Sequence, residues 1–188
     1  MKHDSGRVAV VEAYFRDVVR RVESRPARNV SLYGFYWLNE GITSPDTILV
    51  SRVADAVHRL GLRFLWIPSY GAAGAALWRS FGFDDAWLQP NYFFHTDVSV
   101  ARLDSAVNRA RAAGMELEFD RCLFADSQFA NRLTPYLDTF EKTPDLRSRS
   151  IAIYEGSGAL IQLARSTDKA KRALYDRLVT LLRPGARS

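Results

Sequence analysis

The chain has 188 residues, 47% of them hydrophobic and 25% charged, a globular rather than a disordered composition. A single cysteine excludes an internal disulfide framework and a structural zinc site built from cysteines. The net charge is +5, but the excess arginine is scattered along helical faces without a dense basic block and interleaved aromatics, which argues against nucleic-acid binding.

Apolar runs are only a few residues long, so no membrane-spanning helix is expected. The opening MKHDSGRVAVVEAYFRDVV has no signal-peptide core, and the default expectation is a cytoplasmic location. Along the chain the apolar period alternates between helix-like and strand-like. Residues 8–23 read as an amphipathic helix, with Val11, Phe15, Val18, Val19 and Val22 on one face, stopped by Arg25-Pro26. Residues 29–38 (NVSLYGFYWL) read as a strand. A helix follows over 48–60, with Ser44-Pro45-Asp46 at its start and Gly61 at its end. Then come a strand at 63–67, a helix at 72–81 closed by Gly82, and a strand at 85–89. The last part gives a helix at 98–113 ended by Gly114, a strand at 115–120, a helix at 130–140, a strand at 151–155 and a helix at 167–182 closed by Pro184-Gly185.

Strict alternation of helix and strand implies parallel strands joined by crossover helices. An open doubly wound sheet and a (β/α) barrel both fit this order. A closed barrel needs eight strands and about 250 residues. The expectation is therefore a single α/β domain over 1–188, of parallel (β/α) repeats with about five strands, a partial TIM-barrel-like fold.

In parallel α/β folds, ligands bind at the carboxyl ends of the strands. Those ends read, in order, Trp37-Leu38-Asn39-Glu40, Pro68-Ser69-Tyr70, Gln89-Pro90-Asn91-Tyr92 followed by Phe93-Phe94-His95, Glu118-Phe119-Asp120, and Tyr154-Glu155-Gly156. Most of them set an amide or acid beside an aromatic ring. Flat aromatic faces stack on the C–H faces of sugars, and amides and acids bond the hydroxyls. Glycosidic hydrolysis commonly uses two carboxyl groups, one protonating the leaving oxygen and one acting as nucleophile or as base toward water. Glu40, Glu118, Asp120 and Glu155 are the candidate catalytic acids, Glu40 and Glu118 the preferred pair. Trp37, Tyr70, Gln89, Asn91, Tyr92, His95 and Tyr154 are the candidate substrate contacts.

MELEFD (115–120) is the most informative strand. Alternation puts Met115, Leu117 and Phe119 on one face and Glu116, Glu118 and Asp120 on the other. Three acids on a dry inner face are costly. Either that face opens into a polar cavity, or the strand is an exposed edge with its acids in water. His58 is read as a packed or surface histidine, and Cys122 as a structural thiol without a partner base. Trp78 and Trp87 are read as core. Gly71-Ala72-Ala73-Gly74 and Gly156-Ser157-Gly158 are read as tight turns, since neither belongs to a GxGxxG fingerprint. No cofactor and no metal are expected.

The blocks GFYWLNE (34–40), IPSYGAAG (67–74), GFDDAWLQPNYFF (82–94), MELEFD (115–120) and Tyr154-Glu155-Gly156 resemble the family of domains of unknown function numbered 4855. The resemblance runs over nearly the whole chain, from Val11 to Leu182. It implies a bacterial, glycoside-hydrolase-like barrel, in a family whose members often carry secretion signals and cell-surface modules. Two departures stand out: the further N-terminal region that supplies the first barrel strands in that family does not precede these residues, and Ser69 stands where a second tyrosine is usual. On this resemblance the chain matches the C-terminal part of a larger barrel. The implied function is action on a bacterial or environmental polysaccharide through strand-end carboxylates. The alternatives are a non-catalytic carbohydrate-binding or cell-surface module, or an inactive truncated fragment. A carbohydrate is the expected ligand. Open sheet edges carry the further expectation of self-association, or of a partner that supplies missing strands.

Overall fold

The computed structural model describes residues 2–93, 97–119, 127–147, 150–154 and 158–182. The order of elements is α1 (Lys2–Glu23), β1 (Gly34–Trp37), α2 (Thr47–Arg59), β2 (Arg63–Trp66), β3 (Asp85–Leu88), α3 (Ala101–Ala113), β4 (Glu116–Phe119), α4 (Ser127–Lys142), β5 (Ala152–Ile153), α5 (Ala159–Ala164) and α6 (Lys169–Leu182). The five strands form an all-parallel sheet in the order β1-β2-β3-β4-β5, with helices between successive strands. This is the partial, TIM-like (β/α) fold that the alternating pattern predicts. Two compact units divide the chain, residues 1–86 and 87–188, with the boundary inside β3.

In the first unit, β1 pairs with β2 along its length, and β2 pairs with the start of β3. Phe35, Trp37, Phe64, Trp66 and Ala86 share the face that packs on helices. Phe15 of α1 stacks on Phe35 at 4.0 Å between ring centroids. The buried stripe of α2 is Leu49, Val50, Val53, Ala54, Ala56 and Val57, the spacing of one helical face. Phe83 stacks on both Phe64, at 4.4 Å, and Trp66, at 5.1 Å. His58 is exposed on α2, its Nε2 3.0 Å from Asp84 Oδ2, and that carboxylate oxygen also accepts the backbone N–H of Phe64.

The second unit runs from the end of β3 through β4 to β5, with Trp87 opposite Glu116 and Glu118 opposite Ala152. Its core gathers Leu88, Leu103, Ala106, Ala110, Leu117, Leu133, Leu137 and Phe140. Arg177 of α6 bonds both Asp138 and Glu141 of α4, tying the last helix down. Arg111 pairs with Asp145 at 2.8 Å. The hydrogen bond from that guanidinium, and then its charge, hold the Asp145 carboxyl below its ordinary value of 3.8. A carboxyl so lowered contributes stability at neutral pH and loses it as the pH falls through the lowered value. The pair is about half exposed, so the contribution is no more than about 1 kcal/mol. Asp145→Asn is expected to be slightly less stable than the parent at pH 7, the difference shrinking in denaturant titrations as the pH falls below the carboxyl's ordinary value of 3.8.

Three local readings change. Residues 72–81 were expected to form an α-helix; the segment is a 3₁₀ helix, Ala75–Phe81, bracketed by left-handed Gly74 and Gly82. The strand expected at 29–38 is confined to Gly34–Trp37, because its only partner among the described strands, β2, is four residues long; upstream, Ala27 and Val30 form an isolated bridge. The helix Ala159–Ala164 appears after the glycines read as a plain turn. Pro184-Gly185, read as the chain's closing signal, lies outside the described residues.

Gly82 is fixed by geometry. Its φ is +91°, and a Cβ there would lie 2.5 Å from the Ala54 side chain in the buried face of α2. Gly82→Ala combines left-handed strain with overpacking and is expected to cost about 2–3 kcal/mol in chemical denaturation. A cost under half of that would mean that α2 yields at this point.

Candidate active site

The strand ends of the first unit are held by a knot of loop hydrogen bonds. The Trp66 indole N–H donates to the Asn39 carbonyl at 2.9 Å. The Ser69 N–H donates to the Glu40 carbonyl at 3.3 Å, and the Ile42 N–H to the Ala73 carbonyl at 3.0 Å. The loops after β1 and β2 are thus stitched to each other through backbone groups. The Glu40 side chain is exposed, and Tyr70 is partly buried.

Trp37 lies on the helix-facing side, its ring edge-on to Phe64 at 6.2 Å. Its Nε1 is buried, with no hydrogen-bond partner among the described residues. On the opposite face β1 presents Tyr36, which is 44% exposed and was not singled out from the sequence. That face also carries the ion pair of Arg63 with Asp85, in which Nε and Nη2 reach one carboxylate oxygen at 3.0 and 2.8 Å. Donating to the Asp85 carboxylate raises the Arg63 pKa above its already high value.

In the second unit the alternation holds over residues 115–118, and Asp120 lies outside the described residues. Met115 and Leu117 are buried on the helix side. β4 lies between β3 and β5, so the exposed-edge alternative is excluded. Glu116 and Glu118 are only 4% and 3% exposed. The Oε2 of Glu116 accepts the backbone N–H of Ser150 at 3.0 Å, which ties β4 to the segment leading into β5. Glu118 stands at the carboxyl end of its strand, and its carbonyl accepts the hydroxyl of fully buried Tyr136 at 3.2 Å. The ladder puts Ala152 beside Glu118, so Tyr154, two residues on and half exposed, takes the same face.

The end of β3 supplies amides. Gln89 is buried and accepts a hydrogen bond from the Asn91 side chain. Asn91 has φ +52°, a left-handed conformation that asparagine tolerates better than most residues. Tyr92 is 4% exposed, and its ring is used in packing. It lies 5.9 Å from Tyr136, and the Arg132 guanidinium sits over its face at 3.7 Å. Arg132 also donates to the carbonyls of Tyr92 and Val98, which holds the start and end of the segment after β3.

Of the four candidate acids, Glu40 is exposed in the first unit and Glu118 is buried in the second; Asp120 and Glu155 lie outside the described residues, as do His95 and Cys122. Within the second unit, Glu118 shares its face with Tyr154, Glu116 and Trp87. Sequence reading missed Glu116 as an anchor of the chain before β5, although its place in the alternation marked the face. Among the described residues no cluster of three His, Cys, Asp or Glu is arranged to hold a metal ion, and no helix is long and apolar enough to cross a membrane.

No curated protein matches the chain. A family match covers residues 2–180, and the chain belongs to that family, described as a domain of unknown function, DUF4855.

Proposed function

We propose that the chain is a glycoside-hydrolase-like domain acting on a bacterial or environmental polysaccharide, with Glu118 as one of its two catalytic carboxyl groups. The observation that carries this reading is the burial of Glu118, 3% exposed, at the carboxyl end of an interior parallel strand. A carboxyl group withdrawn from water costs free energy, and in parallel α/β folds this is the end of the sheet where ligands bind. Half-exposed Tyr154 on the same face suits contact with a sugar ring.

In such a reaction one carboxyl group gives its proton to the glycosidic oxygen as the C–O bond breaks. The other either bonds to the anomeric carbon or takes a proton from the water that attacks it. Glu118 fills one role. Asp120 and Glu155, which belong to the same unit, are the candidates for the other, and Asp120→Asn and Glu155→Gln identify it. The experiment is a screen of bacterial exopolysaccharides against the parent chain and Glu118→Gln, read by reducing-end release and by binding. Release by the parent and its loss in the variant support the reading. Glycan binding without release, kept in every acid variant, would replace it with a non-catalytic binding module.

A further inference from the structure

We infer that Trp87 is a ligand-binding residue of the face that carries Glu118, and that its indole N–H donates to a hydroxyl or ring oxygen of a bound carbohydrate. This rests on the reading just proposed. Trp87 pairs with Glu116 in the parallel ladder, so its side chain leaves the sheet on the side of Glu116 and Glu118, away from Leu88 and Leu117. The residue is 8% exposed, and its Nε1 is buried with no hydrogen-bond partner among the described residues. Elsewhere the chain satisfies a buried indole: Trp66 donates to the Asn39 carbonyl at 2.9 Å.

A buried donor without an acceptor destabilises the free protein, and natural structures hold few of them. A tryptophan kept in that condition beside two buried carboxylates is a donor in want of an acceptor. Carboxylates and an indole N–H together offer acceptors and a donor to a ligand that has both, which is the chemistry of a polyol. Trp37 has the same unpaired atom, but on the helix-facing side, and it does not belong to this face.

Trp87→Phe keeps an aromatic ring and deletes the donor. It is tested in the full chain on a Glu118→Gln background, by titration calorimetry with cellohexaose, chitohexaose and laminarihexaose as probes, together with thermal melting. The expected result is an affinity about tenfold lower for the probe that binds, the value of one lost hydrogen bond, with a melting midpoint equal to or above that of the parent. A purely structural tryptophan would instead lower the midpoint. Unchanged affinity in Trp87→Phe overturns the inference, as does a parent chain that binds none of the three probes. The hydrolase reading fails separately, when Glu118→Gln releases reducing ends as fast as the parent while the Trp87 effect on binding persists.

Discussion

Glu118→Gln is expected to lower reducing-end release by about 10²–10⁴-fold, the usual contribution of a positioned acid or base. The amide has the same shape and removes only the ability to carry a charge or transfer a proton. Glu118 is 3% exposed, so the substitution also removes a group that is costly to hold in a dry setting. The melting temperature is therefore expected to stay level or rise while turnover falls, the opposite movements that mark a residue kept for function. The Tyr136 hydroxyl bonds the backbone carbonyl at this position, so the strand end keeps its anchor in the variant. Release at the parental rate would remove Glu118 from the chemistry. A falling melting temperature together with lost turnover would assign it to the framework.

Trp66→Ala is expected to destabilise the first unit by about 3–5 kcal/mol, a large share of the 5–15 kcal/mol typical of a folded domain. Trp66 is fully buried, it stacks on Phe83 with an interplanar angle of 16°, and its N–H holds the Asn39 carbonyl. Alanine loses all three and leaves a cavity the size of an indole between β2 and Phe83. Trp66→Phe keeps most of the packing and loses the hydrogen bond to a carbonyl next to solvent, an expected cost of about 1 kcal/mol. Urea titrations followed by circular dichroism separate the two. Equal costs for both variants would mean that the hydrogen bond, and not the packed ring, carries the stability.

The order of elements and the parallel sheet were legible because helix and strand periods alternate cleanly, and because Gly61, Gly82 and Gly114 mark ends that need a left-handed residue. The face of Glu116 and Glu118 was legible for the same reason, since alternation within a strand is local. Their burial was not, because it depends on β4 being an interior strand, which is settled by pairing between distant segments. Trp37 was read as a stacking platform, yet register places it with Trp66 against Phe64 and gives the opposite face to Tyr36. Phe35 in contact with α1 fixes that phase, and such a contact is not visible in the residue types. The aromatic character of Tyr92 was plain, but the arrival of Arg132 on its ring, forty residues along the chain, was not. The 3₁₀ form of Ala75–Phe81 differs from an α-helix only in the tightness of its turns, which a short apolar pattern does not encode.

The stitching of the loops after β1 and β2 through Trp66, Ser69 and Ile42 sets a rule for anyone who re-engineers this scaffold. The two loops form one exchangeable cassette. A graft that replaces residues 38–42 alone strands the indole and the amide that lean on it, whereas a transplant that carries residues 66–73 along moves the fastening with the piece it fastens.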